Sequence, residues 1–172
     1  DDVYDYKRGA NWPEAGVADP NTFIENNFST FLYTGDGVDD RAINNNIDLA
    51  NKGGLVWTKE RGAVGDHALH DTVRGATKRV ESNTNAAEQT TAAALKSFTS
   101  TGFTVGDSGI VNQDGRTYCS WTFKKAPKFF DIVTYTGSGS AQNIAHNLGS
   151  VPGMVIVKRT SSASHWGVYH RS

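Results

Sequence analysis

Apolar positions along this chain come in short runs separated by clusters of Gly, Asn, Asp, Ser and Thr, the pattern of brief strands joined by turns. The clearest alternation is Thr117-Tyr118-Cys119-Ser120-Trp121-Thr122-Phe123. In a strand it sets Thr117, Cys119, Trp121 and Phe123 on one side and Tyr118, Ser120 and Thr122 on the other. Pro127 closes this segment, because proline cannot continue a central ladder. Residues 28–33 predict a strand. Residues 55–59, nearly continuous in apolar character and preceded by glycine, predict a second strand buried on both faces. Phe98, Phe103 and Val105 around Thr101-Gly102 predict strand, turn and strand. Residues 110–114 run into Asp114-Gly115, a hairpin turn pair. Residues 36–46 read as a polar loop, and residues 62–70 as a loop reaching a short segment at 68–71. Residues 92–98 predict one or two helical turns, since Ala and Leu favour helix.

The pattern repeats. Phe31-Leu32-Tyr33-Thr34-Gly35-Asp36-Gly37 returns as Val133-Thr134-Tyr135-Thr136-Gly137-Ser138-Gly139, and Ile43 returns as Ile144. Gly54-Leu55-Val56-Trp57-Thr58-Lys59 returns as Gly153-Met154-Val155-Ile156-Val157-Lys158, and Ala68-Leu69-His70 as Gly167-Val168-Tyr169. The organisation expected is an N-terminal extended arm over 1–27, a first β-repeat unit over 28–126 and an incomplete second unit over 127–172. A half unit would leave strands unpaired and an apolar face wet. With a first residue that is not Met, this leads us to expect a natural chain longer than the one given. No strands alternate with long helices, so the expected class is all-β. Each unit is expected to be β-sandwich-like, of jelly-roll or concanavalin-like type, followed by the start of a second similar unit.

Composition narrows the function. The chain has 172 residues, a formal net charge of −1, and 18 glycines against 4 prolines. A nucleic-acid binder shows a basic excess or stripe, and neither is present. No apolar run approaches the roughly 20 residues a membrane helix needs. Neither nucleic acid nor membrane is therefore expected as a partner. The single cysteine, Cys119, rules out an intrachain disulfide and reads as a small buried hydrophobe. The arm carries aromatics at Tyr4, Tyr6, Trp12 and Phe23, and these are the candidate anchors on a partner.

Candidate chemistry is sparse. His67 and His70, near Asp66 and Asp71, have too loose a spacing for a zinc site and read as polar loop residues. His165 and His170 beside Trp166 and Tyr169 read as a strand with mixed faces. Stacking on sugar rings or packing at a subunit interface is the alternative for that group. Asp36-Gly37-Val38-Asp39-Asp40 lacks the spacing and closing Glu of a calcium loop and reads as solvated. No nucleophile elbow, zinc-protease helix or phosphate loop occurs. We expect no enzyme, no catalytic residue, no cofactor and no metal.

Several stretches resemble a repeat domain of tailed-phage virion structural proteins, common in marine phages and cyanophages. They are Phe31 to Gly37, Gly54 to Lys59, His70-Asp71-Thr72-Val73-Arg74-Gly75-Ala76 with Ser82-Asn83-Thr84, Ser97 to Gly106, and Tyr118 to Ala126. The restart resembles it too, through Phe130 to Gly137 and His146 to Gly153, whereas residues 1–27 do not. The resemblance implies a particle protein located in the virion, and supplies no catalytic residues. The reading it leads to is a tail-fibre or head-fibre appendage fixed by the arm to other virion proteins (capsid, portal or tail), with a homotrimer as the guess by analogy with fibres. The alternatives are a capsid decoration protein and a carbohydrate-binding module for a host glycan.

Overall fold

The computed structural model describes residues 23–171. Among them are a 3-10 turn, Ile24–Asn26, and eleven strands: β1 (Phe28–Thr34), β2 (Arg41–Asn44), β3 (Gly54–Glu60), β4 (Ala68–Asp71), β5 (Gly75–Val80), β6 (Gln89–Thr90), β7 (Leu95–Thr99), β8 (Gly102–Val105), β9 (Thr117–Lys124), β10 (Met154–Val157) and β11 (Gly167–His170). The protein is all-β, and its pairings are antiparallel. A six-stranded sheet in the order β1-β9-β3-β4-β5-β6 faces a three-stranded sheet in the order β2-β8-β7, which makes a β-sandwich-like unit. The strands β10 and β11 form a separate hairpin.

The core lies between the two sheets. Tyr33, Val56 and Tyr118 come from the large sheet, Ile43, Leu95, Phe103 and Val105 from the small one, and Ile47, Leu49, Ala94 and Val111 from the connections. Burying each large side chain of this kind stabilises the fold by about 1.5–3 kcal/mol. Tyr33 and Tyr118 stack with ring centroids 5.3 Å apart. Their hydroxyls tie the loop before β9 to the core, Tyr33 donating to the Val111 carbonyl at 2.7 Å and Tyr118 to that of Gly109 at 2.8 Å. Tyr33→Phe leaves the buried Val111 carbonyl without this donor. It is expected to lower stability by about 1–2 kcal/mol, read as a shift in the urea midpoint with an unchanged slope.

Two glycines of the repeated motifs are explained by close approach. A Cβ on Gly35 would sit 2.1 Å from the Gln113 carbonyl oxygen, and one on Gly54 would sit 2.1 Å from that of Phe123. Both lie where the segment leading into β9, or β9 itself, presses against the chain.

Several local expectations are corrected. Residues 92–98 do not form helical turns: a turn leads into β7, whose Leu95 is buried and whose residues pair with β8. Cross-strand pairing overrides a modest helix propensity there. Part of the expected loop at 36–46 is β2, because Ile43 pairs with Phe103. Asp114-Gly115 makes a turn, with Gly115 at φ +73°, but residues 110–114 are irregular and no hairpin forms around it. The strand at 55–59 is not buried on both faces. In β3 burial alternates, with Gly54, Val56, Thr58 and Glu60 inward, and β10 is exposed throughout. Residues 133–135 form no strand.

Candidate assembly surface

The repeat seen in the sequence is also a repeat of geometry. In the hairpin β3–β4, Leu55, Val56, Trp57 and Thr58 pair with Asp71, His70, Leu69 and Ala68. In β10–β11, Met154, Val155, Ile156 and Val157 pair with His170, Tyr169, Val168 and Gly167. Every partner lies 99 positions after its counterpart. The closing bond repeats as well: Thr72 N–H donates to the Gly54 carbonyl at 3.1 Å, and Arg171 N–H to that of Gly153 at 2.8 Å.

What differs is burial. Val56 and His70 are fully buried, whereas their counterparts Val155 and Tyr169 are 39% and 60% exposed. Tyr33 is buried, and Tyr135 is half exposed. Met154, Ile156, Val157, Val168 and Val133 are exposed as well, so the hairpin keeps apolar side chains in solvent on both of its faces, a state that points to an interaction site.

The second unit is attached to the first at two places. Near the joint, Phe123 contacts Phe28, Phe129 and Phe130 at 4.8, 6.5 and 5.3 Å between centroids. Lys125 pairs with Asp131 at 2.9 Å. The Asp131 carboxyl is held below its usual range by hydrogen bonds from Asn147 N–H, Lys125 and Ile132 N–H, which outweigh its burial. Further on, Trp166 Nε1 donates to the Glu81 carbonyl at 3.0 Å, and Glu88 N–H donates to the Thr160 carbonyl. Ser82, Asn83, Thr84, Asn85, His165 and Trp166 line an open groove there of about 540 Å³.

The histidines do not converge. His67 precedes β4 and accepts a 2.7 Å bond from Trp57 Nε1 on the outer face of the large sheet. His70 is not the polar loop residue expected: it is a strand residue, 0% exposed, on the inner face. Neither ring nitrogen has a hydrogen-bond partner. Burial, with Arg74 and Arg79 nearby, pushes its pKa down to about 3. Those arginines belong to a buried network in which Arg74 pairs with Asp71 at 2.5 Å and Glu88 at 3.2 Å, and Arg79 with Glu81 at 3.1 Å. Nothing in the local sequence announces this network, since its members are spread over β4, β5 and the two loops that follow them. His165 and Trp166 meet at the groove, while His170 and Tyr169 lie exposed on β11.

In the acidic loop, Asp36 accepts from Val38 N–H and Asn112, while Asp39 and Asp40 both face Lys96. Among the described residues no group of three or more His, Cys, Asp or Glu is placed to hold a metal. Of the candidate anchors, Tyr4, Tyr6 and Trp12 lie outside the described residues. Phe23 precedes the 3-10 turn, where its carbonyl accepts from Asn26 N–H and Asn27 Nδ2. Cys119 is buried, and burial raises its thiol pKa. A thiol reagent at neutral pH is expected to label it slowly in the folded protein and quickly in denaturant, followed by mass spectrometry.

Fold and surface define a β-sandwich-like module that carries, beside its closed unit, a hairpin copied from that unit with its faces open. Residues 25–172 match the family described as "Domain of unknown function (DUF7483)", and the chain belongs to that family. No curated protein and no solved structure matches it.

Proposed function

We propose that this chain is a non-enzymatic structural module of a bacteriophage particle: a tail-fibre or head-fibre appendage, built from β-units in series and anchored to other virion proteins through residues 1–27. The observation that carries this reading is the hairpin repeated at a constant offset of 99 positions. A unit that recurs along one chain suits an extended appendage, because each copy meets its neighbour. The resemblance of the motifs to phage repeat domains supplies the particle. Cryo-electron microscopy of intact particles tests it. Density for this fold on a fibre, with the arm against a tail or portal-proximal protein, is the expected result. Density lying across the head lattice would replace the fibre with a capsid decoration protein, and particles without this fold would end the virion reading.

One observation favours a second role, in host attachment. The groove beside Trp166 joins an indole to Ser82, Asn83, Thr84 and Asn85, a stacking surface with hydrogen-bonding groups of the kind that suits a sugar. On this reading Trp166→Ala abolishes retention on a glycan array, and a wild-type chain that binds no glycan excludes it.

A further inference from the structure

The closed unit indicates what belongs on the open one. In the large sheet β9 lies between β1 and β3. It pairs with β3 from Gly54↔Lys124 through Trp57↔Trp121 to Glu60↔Tyr118. Gly54 lacks a side chain where the Phe123 carbonyl of β9 would stand 2.1 Å from a Cβ, and Gly35 lacks one where the Gln113 carbonyl would. Their counterparts, Gly153 and Gly137, are glycines too, yet a Cβ on either would meet nothing within 4 Å. The second unit therefore keeps both clearances that the first unit needs for β9 and the segment leading into it.

The free edge has a defined orientation. Arg171 N–H bonds to the Gly153 carbonyl, so antiparallel alternation turns the main-chain groups of Gly153, Val155 and Val157 towards β11. Those of Met154 and Ile156 point away from it. In the first unit the matching residues Leu55 and Trp57 face β9, as does Gly53, whose carbonyl accepts from Lys125 N–H at 2.9 Å.

We propose that the edge of β10 is a strand-acceptor site. Its occupant is one extended antiparallel strand of the β9 type, with hydroxyl and aromatic side chains alternating as in Thr117–Lys124. The strand adds to the free edge of β10, with its counterpart of Trp121 opposite Ile156. Main-chain bonds hold it. A second folded copy cannot lend its own β9, which is held on both sides by β1 and β3. Strand completion rests on the repeated unit and not on a place in a virion, so either can fail without the other.

The test adds a synthetic peptide of residues 115–126, carrying Cys119→Ser, to the full chain. Binding is read by fluorescence anisotropy and by amide hydrogen exchange. Saturable binding that slows exchange at Met154 and Ile156 is expected. Gly153→Ala should leave the thermal midpoint of the chain unchanged, since its Cβ meets open space, and weaken peptide binding at least tenfold. Ile156→Pro should likewise abolish binding while Arg171 N–H stays protected, because the amide it removes faces the free edge. Equal binding to wild type and Gly153→Ala overturns the proposal, as does no binding at all. A dimer of the chain alone that Ile156→Pro dissolves would assign the edge to a second copy instead.

Discussion

Lowering the pH from about 6.5 towards 4 is expected to destabilise the protein steeply, and His70 is expected to be the main cause. Its imidazole is fully buried, and the pKa is depressed to about 3 by burial and by the charges of Arg74 and Arg79. In the unfolded chain it titrates near 6.5. Below that value the unfolded state takes up a proton that the folded state refuses, so stability falls as pH drops. The loss continues until the folded pKa is reached, and amounts to roughly 4–5 kcal/mol over the whole window. The half-exposed His67, also depressed by burial and by Lys59, adds in the same direction. Asp36, Asp39 and Asp131 have lowered pKa values as well, but their losses fall below the ordinary Asp value of 3.8. The interval from 6.5 to 4.5 therefore isolates the histidines. Urea denaturation at pH 7 and pH 4.5, on wild type and His70→Leu, measures it. The variant should lose most of the difference, and an equal difference in both proteins would refute the assignment.

Gly102→Ala is expected to cost about 4 kcal/mol or more, because two separate penalties meet at one residue. Gly102 opens β8 at φ +150°, a conformation that L side chains rarely adopt. A Cβ there would also lie 2.1 Å from the Ile43 carbonyl oxygen of β2, a backbone atom that cannot swing aside. Relief requires parting β2 from β8, and with them the Ile43↔Phe103 pair at the centre of the core. Gly75→Ala is the control. Its φ of +102° is equally unsuited to a side chain, yet nothing stands within 4 Å of the added atom. That substitution should cost only about 1–3 kcal/mol. Equal losses in the two variants, by chemical denaturation, would show that backbone conformation alone accounts for the larger effect.

Local pattern made much of this fold readable. The alternation over 117–123 is β9, the glycine-led apolar run is β3, and Phe98 and Phe103 flank the turn that joins β7 to β8. These are properties of consecutive residues, and a strand's period of two is visible in them. The repeat was equally readable, since the motifs recur with nearly constant spacing, and the paired hairpins now share one register. A candidate site was far less so. The clearances at Gly35 and Gly54 come from Gln113 and Phe123, more than sixty positions away, and no local signal ties either glycine to β9.

The sequence by itself determined that the chain is β-rich, where most of its long strands run, and that the motifs of β3 and β4 recur in β10 and β11, because these follow from side-chain periodicity and turn residues. Only the tertiary structure decided that β9 enters between β1 and β3. It also decided that the face of β9 carrying Tyr118, Ser120, Thr122 and Lys124 is the buried one. Polar residues lie inward there because the small sheet closes over that face, while Trp121 and Phe123 are left half-buried outside against Trp57, Phe28, Phe129 and Phe130. Strand order and the choice of inner face depend on which distant segments pair, and that is settled by the area and hydrogen bonds of the whole sandwich rather than by any run of neighbours.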